Sequence, residues 1–331
     1  MSAAPHPPFA ELYARSCFSF LTGASHPEEL IEQAVALGYT ALAIADECSL
    51  AGIVRAYAAW RLQPEALKLI VGSSIRLQDG PTLVLLATDR AAYGRLSSLV
   101  TRGRRGAPKG AYRLTRADLA DGLPGCLALL VPPDTIDPDS QDLADDACWL
   151  AERFPAATWL AAPLHLGPDD ALRRRRIAAA AAAARIPVAA TCAPLMHHTS
   201  RRRLADVLTA LRHRLPLDEA GYLLAANGEQ RLLPREALAR RHPPEWLAET
   251  LAIAARCHFS PAELRYEYPQ EIVPPGATPA SHLQRLVDRG LRRRYPPGND
   301  GHSQVPPHVA EQVEKEQIGR ASCRERVSSP V

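Results

Sequence analysis

The chain has 331 residues, 47% of them hydrophobic, and a formal net charge of +3. That supports one large domain or two ordinary ones, and it is too weakly basic for charge alone to imply a nucleic-acid partner. No run approaches the ~20 apolar residues of a membrane span, the opening MSAAPHPP is no secretory signal, and seven scattered cysteines match neither a disulfide framework nor paired zinc claws.

A reduced, cytoplasmic setting without membrane contact is therefore expected. Lys68, Lys109 and Lys315 are the only lysines, so the positive charge is almost all arginine. With 30 prolines and many alanines this is the signature of a GC-rich genome, and the placement of the arginines means more than their number.

The predicted elements alternate between strand and helix. Ser25 and Glu28 have the spacing of a capping box, followed by the apolar stripe Leu30, Ile31, Ala34, Val35 and a terminating Gly38. Ala41–Ile44 reads as a short buried strand that lands on Asp46 and Glu47. Further strands are predicted at Leu69–Val71, Leu83–Ala87, Leu127–Val131 and Pro187–Ala190, with helices at Asp89–Val100 and Pro168–Ala184 between them. Continuous apolar strands separated by helices imply a mainly parallel sheet covered on both faces, open or closed into a barrel. Beyond residue 204 the reading is helical, over Leu204–Leu211, Pro243–Cys257 and Ser281–Arg294, with an extended stretch at Tyr266–Pro275 and a linker at Tyr295–Pro307.

In such folds chemistry gathers where strands end. The ends hold Tyr13 and Arg15, then Asp46 and Glu47, then Ser73 and Ser74, and finally Thr191–His198. A hydrolytic metal cluster needs several His, Asp, Glu or Cys side chains converging from these loops. Adjacent residues on an extended segment point to opposite faces, so Asp46-Glu47 and His197-His198 each offer one ligand at most. Asp46 suits either a metal ligand or a cap for a helix beginning near Ser49. No nucleophile elbow and no glycine-rich phosphate loop occurs. Arg102, Arg104 and Arg105 lie among glycines in TRGRRGAPKG, which reads as a flexible loop able to meet phosphates. Arg173–Arg176 sweep around a helix and carry less weight.

The stretch FAELYARSCFSFLTGASHPEELIEQAVALGYTALAIADECSLAGIVRAY, Phe9 to Tyr57, resembles the opening of bacterial error-prone DnaE-type DNA polymerases, relatives of the replicative polymerase III alpha subunit. The similarity continues through LKLIVGSSIRL, TLVLLATDRAAYGRLSSLVTRGRR, DVLTALRHRLPL, LAETLAIAARCHFSPAELRYEYPQEIVP and TPASHLQRLVDRGLRRRYP. The resemblance implies an α/β fold: a distorted, seven-stranded β/α barrel of the PHP (polymerase and histidinol phosphatase) type over residues 9–215, then a mainly helical connector over 216–307. It implies the start of a palm helix at 308–317 and leaves 1–8 as a tail.

Transferred residue by residue, the family's His-x-His motif falls on Glu11 and Tyr13, its second motif on Asp46 and Glu47, its third on Ser74, and its last near Ala193 and Leu195. Asp46 alone keeps its ligand type, as a vestigial metal residue, so no catalytic residue and no bound cofactor are expected. The magnesium of nucleotidyl transfer belongs to the palm. The implied function is the N-terminal part of a polymerase of replication and damage-induced translesion synthesis, with the barrel a degenerate scaffold. Its expected partners are DNA, the thumb and palm domains and accessory mutagenesis proteins, with Arg102, Arg104 and Arg105 the candidate DNA contacts. The alternative is a free-standing PHP phosphoesterase using Asp46, Glu47 and nearby histidines. Residues 318–331 begin with IGRASCRERV, which resembles a reading frame of a sequencing adapter, and are expected to be artefactual.

Overall fold

A computed structural model describes residues 7–133, 141–265, 273–296 and 305–316. The chain divides into two compact units, Met1–Arg265 and Tyr266–Val331. The first contains β1 (Ala10–Ala14), α1 (Pro27–Ala36), β2 (Ala41–Ile44), α2 (Ile53–Trp60), β3 (Lys68–Arg76), β4 (Thr82–Ala87) and α3 (Arg90–Arg105). It continues with β5 (Cys126–Val131), α4 (Asp142–Arg153), β6 (Thr158–Pro163), α5 (Asp170–Ala184), β7 (Val188–Thr191), α6 (Arg202–His213), α7 (Arg235–Arg241) and α8 (Pro244–Arg256).

The strands form one seven-stranded sheet in sequence order. Pairing is parallel from β1 to β3, antiparallel on both sides of β4, and parallel again from β5 to β7. The apolar runs are unbroken because both faces are buried, and strand alternation separates the faces. Leu42, Ile44, Leu83, Leu85, Ala128 and Leu130 point outward into a layer shared with the helices. Ala41, Ala43, Ala45, Val84, Leu86, Leu127 and Leu129 point inward. The inward set is rich in alanine, which suits a sheet curled until its interior is narrow.

The curl stops short of a complete barrel, since no ladder joins β7 to β1. Helix α8 covers the deficit. Thr250 Oγ1 accepts the Ala10 N–H at 3.2 Å, Lys68 Nζ donates to the Ala254 carbonyl at 2.6 Å, and the Trp159 indole donates to Glu249 at 2.9 Å. All three contacts fall at strand beginnings, so α8 lies across the N-terminal end of the barrel. Its Ile253 and Ala254, with the following Cys257, enter the interior. Residues that the sequence assigns to the connector thus complete the barrel core.

Three local expectations are corrected. The cap of α1 is His26, whose N–H donates to Glu29 at 2.8 Å, one residue beyond the expected Ser25–Glu28 pair. The Ser25 hydroxyl instead holds the backbone N–H and ring of His197. The TRGRRG segment is the last turn of α3 rather than a flexible loop. Gly103 is there for close approach: a Cβ would stand 2.9 Å from Leu114 Cγ, and its carbonyl accepts the Arg113 N–H at 3.0 Å. Asp46 caps no helix, because α2 begins at Ile53 and Asp46 is bonded elsewhere.

In the second unit, α9 (Pro279–Arg294) starts on a Thr278 cap, and residues 307–316 are helical. Leu283 and Val287 of α9 line a groove with Val309 and Val313. Most of the expected extended stretch, part of the expected linker and the tail after 316 lie outside the described residues.

Candidate functional site

The C-terminal ends of β1, β2, β3 and β7 bring together the positions expected to form the metal site, but the carboxylates of Glu11, Asp46 and Glu47 have taken structural tasks, and the buried Ser74 Oγ has no hydrogen-bond partner. Glu11 sits on β1, fully buried. Its Oε1 accepts from the Tyr13 N–H at 2.9 Å and the Thr191 hydroxyl at 2.5 Å, and its Oε2 accepts from the Cys192 N–H at 2.7 Å. Thr191 ends β7. The carboxylate therefore spans the seam where the sheet has no ladder, replacing main-chain pairing with side-chain bonds. Burial pushes the Glu11 carboxyl above its ordinary range, opposed by the bonds from Thr191, Cys192 and Tyr13. Two further bonds tie the same rim: Arg15 N–H to the Pro194 carbonyl at 3.1 Å and Ala24 N–H to the Leu195 carbonyl at 2.6 Å.

Asp46 is equally occupied. Its Oδ1 accepts from the Ser16 N–H at 2.7 Å and the Ser19 hydroxyl at 2.8 Å, and its Oδ2 accepts from the Ser16 hydroxyl at 2.7 Å. Burial raises its pKa against these bonds from Ser16 and Ser19. Gly52 backs directly onto it, where a Cβ would lie 2.6 Å from Oδ2. The adjacent Glu47 accepts from the Tyr112 hydroxyl at 2.8 Å. Burial, then the Glu47 charge, push the Tyr112 phenol up.

Arg104 of α3 is built into this network. Its guanidinium donates to the Glu47 and Cys48 carbonyls, each at 3.0 Å, and stacks 5.3 Å from the Tyr112 ring centre. Cys48 has a left-handed backbone, φ 43°, held by its N–H to the Ser74 carbonyl at 2.7 Å and by Arg104 on its own carbonyl. Of the three candidate DNA contacts, Arg104 is thus committed to the fold. Arg102 is exposed and 3.6 Å from Asp118, and Arg105 is exposed. In the other arginine cluster, Arg173 donates to the carbonyls of Pro132, Pro133 and Pro163.

A divalent metal does not fit this donor set. The oxygens of Glu11 and Asp46 are taken by protein donors, and the Ser74, Ala193 and Leu195 positions offer one neutral hydroxyl among them. The Tyr13 ring already carries a cation, the Arg15 guanidinium 4.7 Å from its centre. His197 is turned to Ser25 and lies 3.8 Å from Glu29, and His198 bonds Ser200 in its own loop. Among the described residues no group of three or more His, Cys, Asp or Glu side chains is disposed to hold a metal ion. Sequence reading missed Ser16, Ser19 and Tyr112, and it placed Thr191 at a strand end without its partner Glu11. Only the Ser16–Ser19 spacing just after a strand carried any signal, since nothing in the sequence pairs position 11 with 191.

The PHP domain family model matches residues 11–137. Over 308 residues the chain is 57% identical to the error-prone DNA polymerase of Aromatoleum aromaticum, covering 93% of this chain and 29% of that protein. It is 50% identical over 315 residues to the error-prone DNA polymerase of Dechloromonas aromatica, covering 94% of this chain and 29% of that protein. For the Pseudomonas aeruginosa error-prone DNA polymerase the identity is 48% over 308 residues, covering 93% and 28%. The chain thus spans less than a third of the length of these relatives. No helix among the described residues is long and apolar enough to cross a membrane.

Proposed function

We propose that this chain, a PHP-domain region homologous to that of the error-prone DNA polymerases, serves as the non-hydrolytic scaffold of such a polymerase, one acting in damage-tolerant DNA synthesis. The observation that carries the proposal is the 57% identity sustained across 93% of the chain. The saturated Glu11 and Asp46 carboxylates favour it over a phosphoesterase, which would need open oxygen and imidazole ligands. Nucleotidyl transfer and its magnesium belong to polypeptide beyond the matched third, as do the thumb, the palm and any accessory partners.

DNA contact falls to the exposed side of the α3 terminus. Arg102 and Arg105 stand there with exposed Lys109 and Arg113, and Arg113 is folded back onto Gly103. Such a cluster reads phosphates rather than bases. The test is a chimaera: this chain replaces the matching segment of the Aromatoleum polymerase, and primer extension is followed on undamaged and abasic templates. Extension comparable to the parent is expected. Manganese-dependent hydrolysis of a phosphomonoester by the isolated chain, with stoichiometric bound metal, would overturn the scaffold reading.

A further inference from the structure

A second group of charged side chains, none of them in the Glu11 or Asp46 networks, gathers beside the ends of β6 and β7. The stretch leading into α7 is clamped there. Asn227 Nδ2 donates to the His165 carbonyl at 2.6 Å, the Leu195 N–H to the Gln230 carbonyl at 2.9 Å, and the Leu232 N–H to the Met196 carbonyl at 3.3 Å. Glu229, on this stretch, is shared by two guanidiniums. Arg241 Nη2 donates to its Oε2 at 2.5 Å, and Arg231 Nη2 lies 3.9 Å from its Oε1.

This pairing leaves donors unspent. Arg231 Nε and Arg241 Nη1 are buried without a hydrogen-bond partner among the described residues, and the His242 ring next to Arg241 has none on either nitrogen. Bulk water does not serve them, since the Arg241 and Arg231 side chains are 11% and 20% exposed and His242 is 3% exposed.

Charge decides what such a cluster can take. Two guanidiniums share one carboxylate. The His242 ring is faced by Arg241 at the end of α7, His165 after β6, Arg174 of α5, and the Trp246 ring of α8. Burial first, and then these cationic neighbours, hold the ring below its ordinary range. A cation is repelled here, and a neutral ligand leaves the excess charge uncompensated. An oxyanion brings several acceptor oxygens, the complement of an Nε–H, an Nη1–H and one imidazole N–H. The depth of the donors suits an ion and not a polymer backbone.

We infer that Arg231, Arg241 and His242 form a binding site for a small inorganic oxyanion of the phosphate type. Such a site is independent of the polymerase reading, since none of its residues enters the scaffold or the α3 arginines. Its occupant ties α7 to the barrel rim, so occupancy is read as stability.

The test titrates inorganic phosphate into this chain by calorimetry and follows thermal unfolding, with sodium chloride as the control at equal ionic strength. Phosphate at about 10 mM should raise the melting temperature by about 2 °C over chloride. Arg231→Gln, and Arg241→Lys, which keeps a charge beside Glu229, should each weaken phosphate binding about tenfold, while exposed Arg175→Gln should not. A nucleoside monophosphate should bind about tenfold more weakly than free phosphate, because its sugar and base meet buried surroundings. The His242 ring gives a readout without substitution at the arginines. Its NMR titration midpoint should rise in sulfate, whose charge is constant over that range, because an adjacent anion favours imidazolium.

Equal melting temperatures in phosphate and chloride overturn the inference. So does a phosphate effect of the same size in both arginine variants, which marks general exclusion of the salt from the surface. A nucleotide that binds as tightly as phosphate overturns the assignment to an inorganic ion. Should the variants fail to fold, the His242 midpoint decides, and one indifferent to sulfate overturns the site.

Discussion

Replacing Glu11 with glutamine should open the barrel seam. The carboxylate has no donor of its own and meets three, from Tyr13, Thr191 and Cys192. Glutamine keeps one acceptor oxygen and turns an NH₂ toward the remaining partner. Oε2 faces the Cys192 N–H at 2.7 Å, so an amide nitrogen there opposes donor to donor in a buried site. An orphaned buried donor costs about 1–3 kcal/mol, and each lost bond to a charged group adds about 1.5–3 kcal/mol. Removing a buried charge returns part of this. The expected net loss is about 2–3 kcal/mol, measured as a shift in urea midpoint by circular dichroism with the slope unchanged. Because Glu11 acts through Thr191, Glu11→Gln and Thr191→Val should be non-additive by about 1 kcal/mol or more. Added zinc or manganese should not restore stability. A loss under about 0.5 kcal/mol, or strict additivity, would refute the clasp.

The two kinds of arginine at the end of α3 should separate cleanly. Arg104→Ala should destabilise the chain by about 2–3 kcal/mol, since it frees two main-chain carbonyls and a cation–π contact, and lysine should not rescue it because the planar fork is lost. Arg102→Ala and Arg105→Ala should change stability by less than about 0.5 kcal/mol but weaken DNA binding by the chimaera, each lowering the salt slope by about 1. The second test is pH. His242 is buried with neither ring nitrogen hydrogen-bonded, and burial, followed by Arg241, lowers its pKa from 6.5 to about 4. The unfolded chain therefore binds a proton that the folded chain refuses between those values. Stability should fall as pH drops from about 6.5 toward 4, by up to about 3 kcal/mol. His242→Leu should flatten this acid limb in urea titrations at several pH values, and an unchanged limb would assign it to other groups.

Strand β2 and the cores of β3, β4, β5 and β7 were legible in the sequence because burial on both faces leaves unbroken apolar runs. Of β1 only the end near Tyr13 and Arg15 was legible, and β6 was not. AELYA hides a buried carboxylate whose donors come from Tyr13, Thr191 and Cys192, and TWLAAP ends in a proline and reads equally as loop. The glycines of TRGRRG suggested flexibility, whereas Gly103 lets Leu114 lie against α3.

The sequence by itself determined the alternation of strand and helix, the kinship with polymerases carried by ordered motifs, and the loss of the family's metal-ligand types at positions 11, 13, 74, 193 and 195. These are local or one-dimensional facts. Only the tertiary structure decided what the surviving carboxylates do. Asp46 and Glu11 keep the chemistry of ligands, and no spacing along the chain distinguishes an open carboxylate from a saturated one. Their donors come from Ser16, Ser19, Thr191 and Cys192, up to 181 residues away. Once curling the sheet brings β1 beside β7, donors from Thr191 and Cys192 reach Glu11, while the loop after β1 brings Ser16 and Ser19 to Asp46.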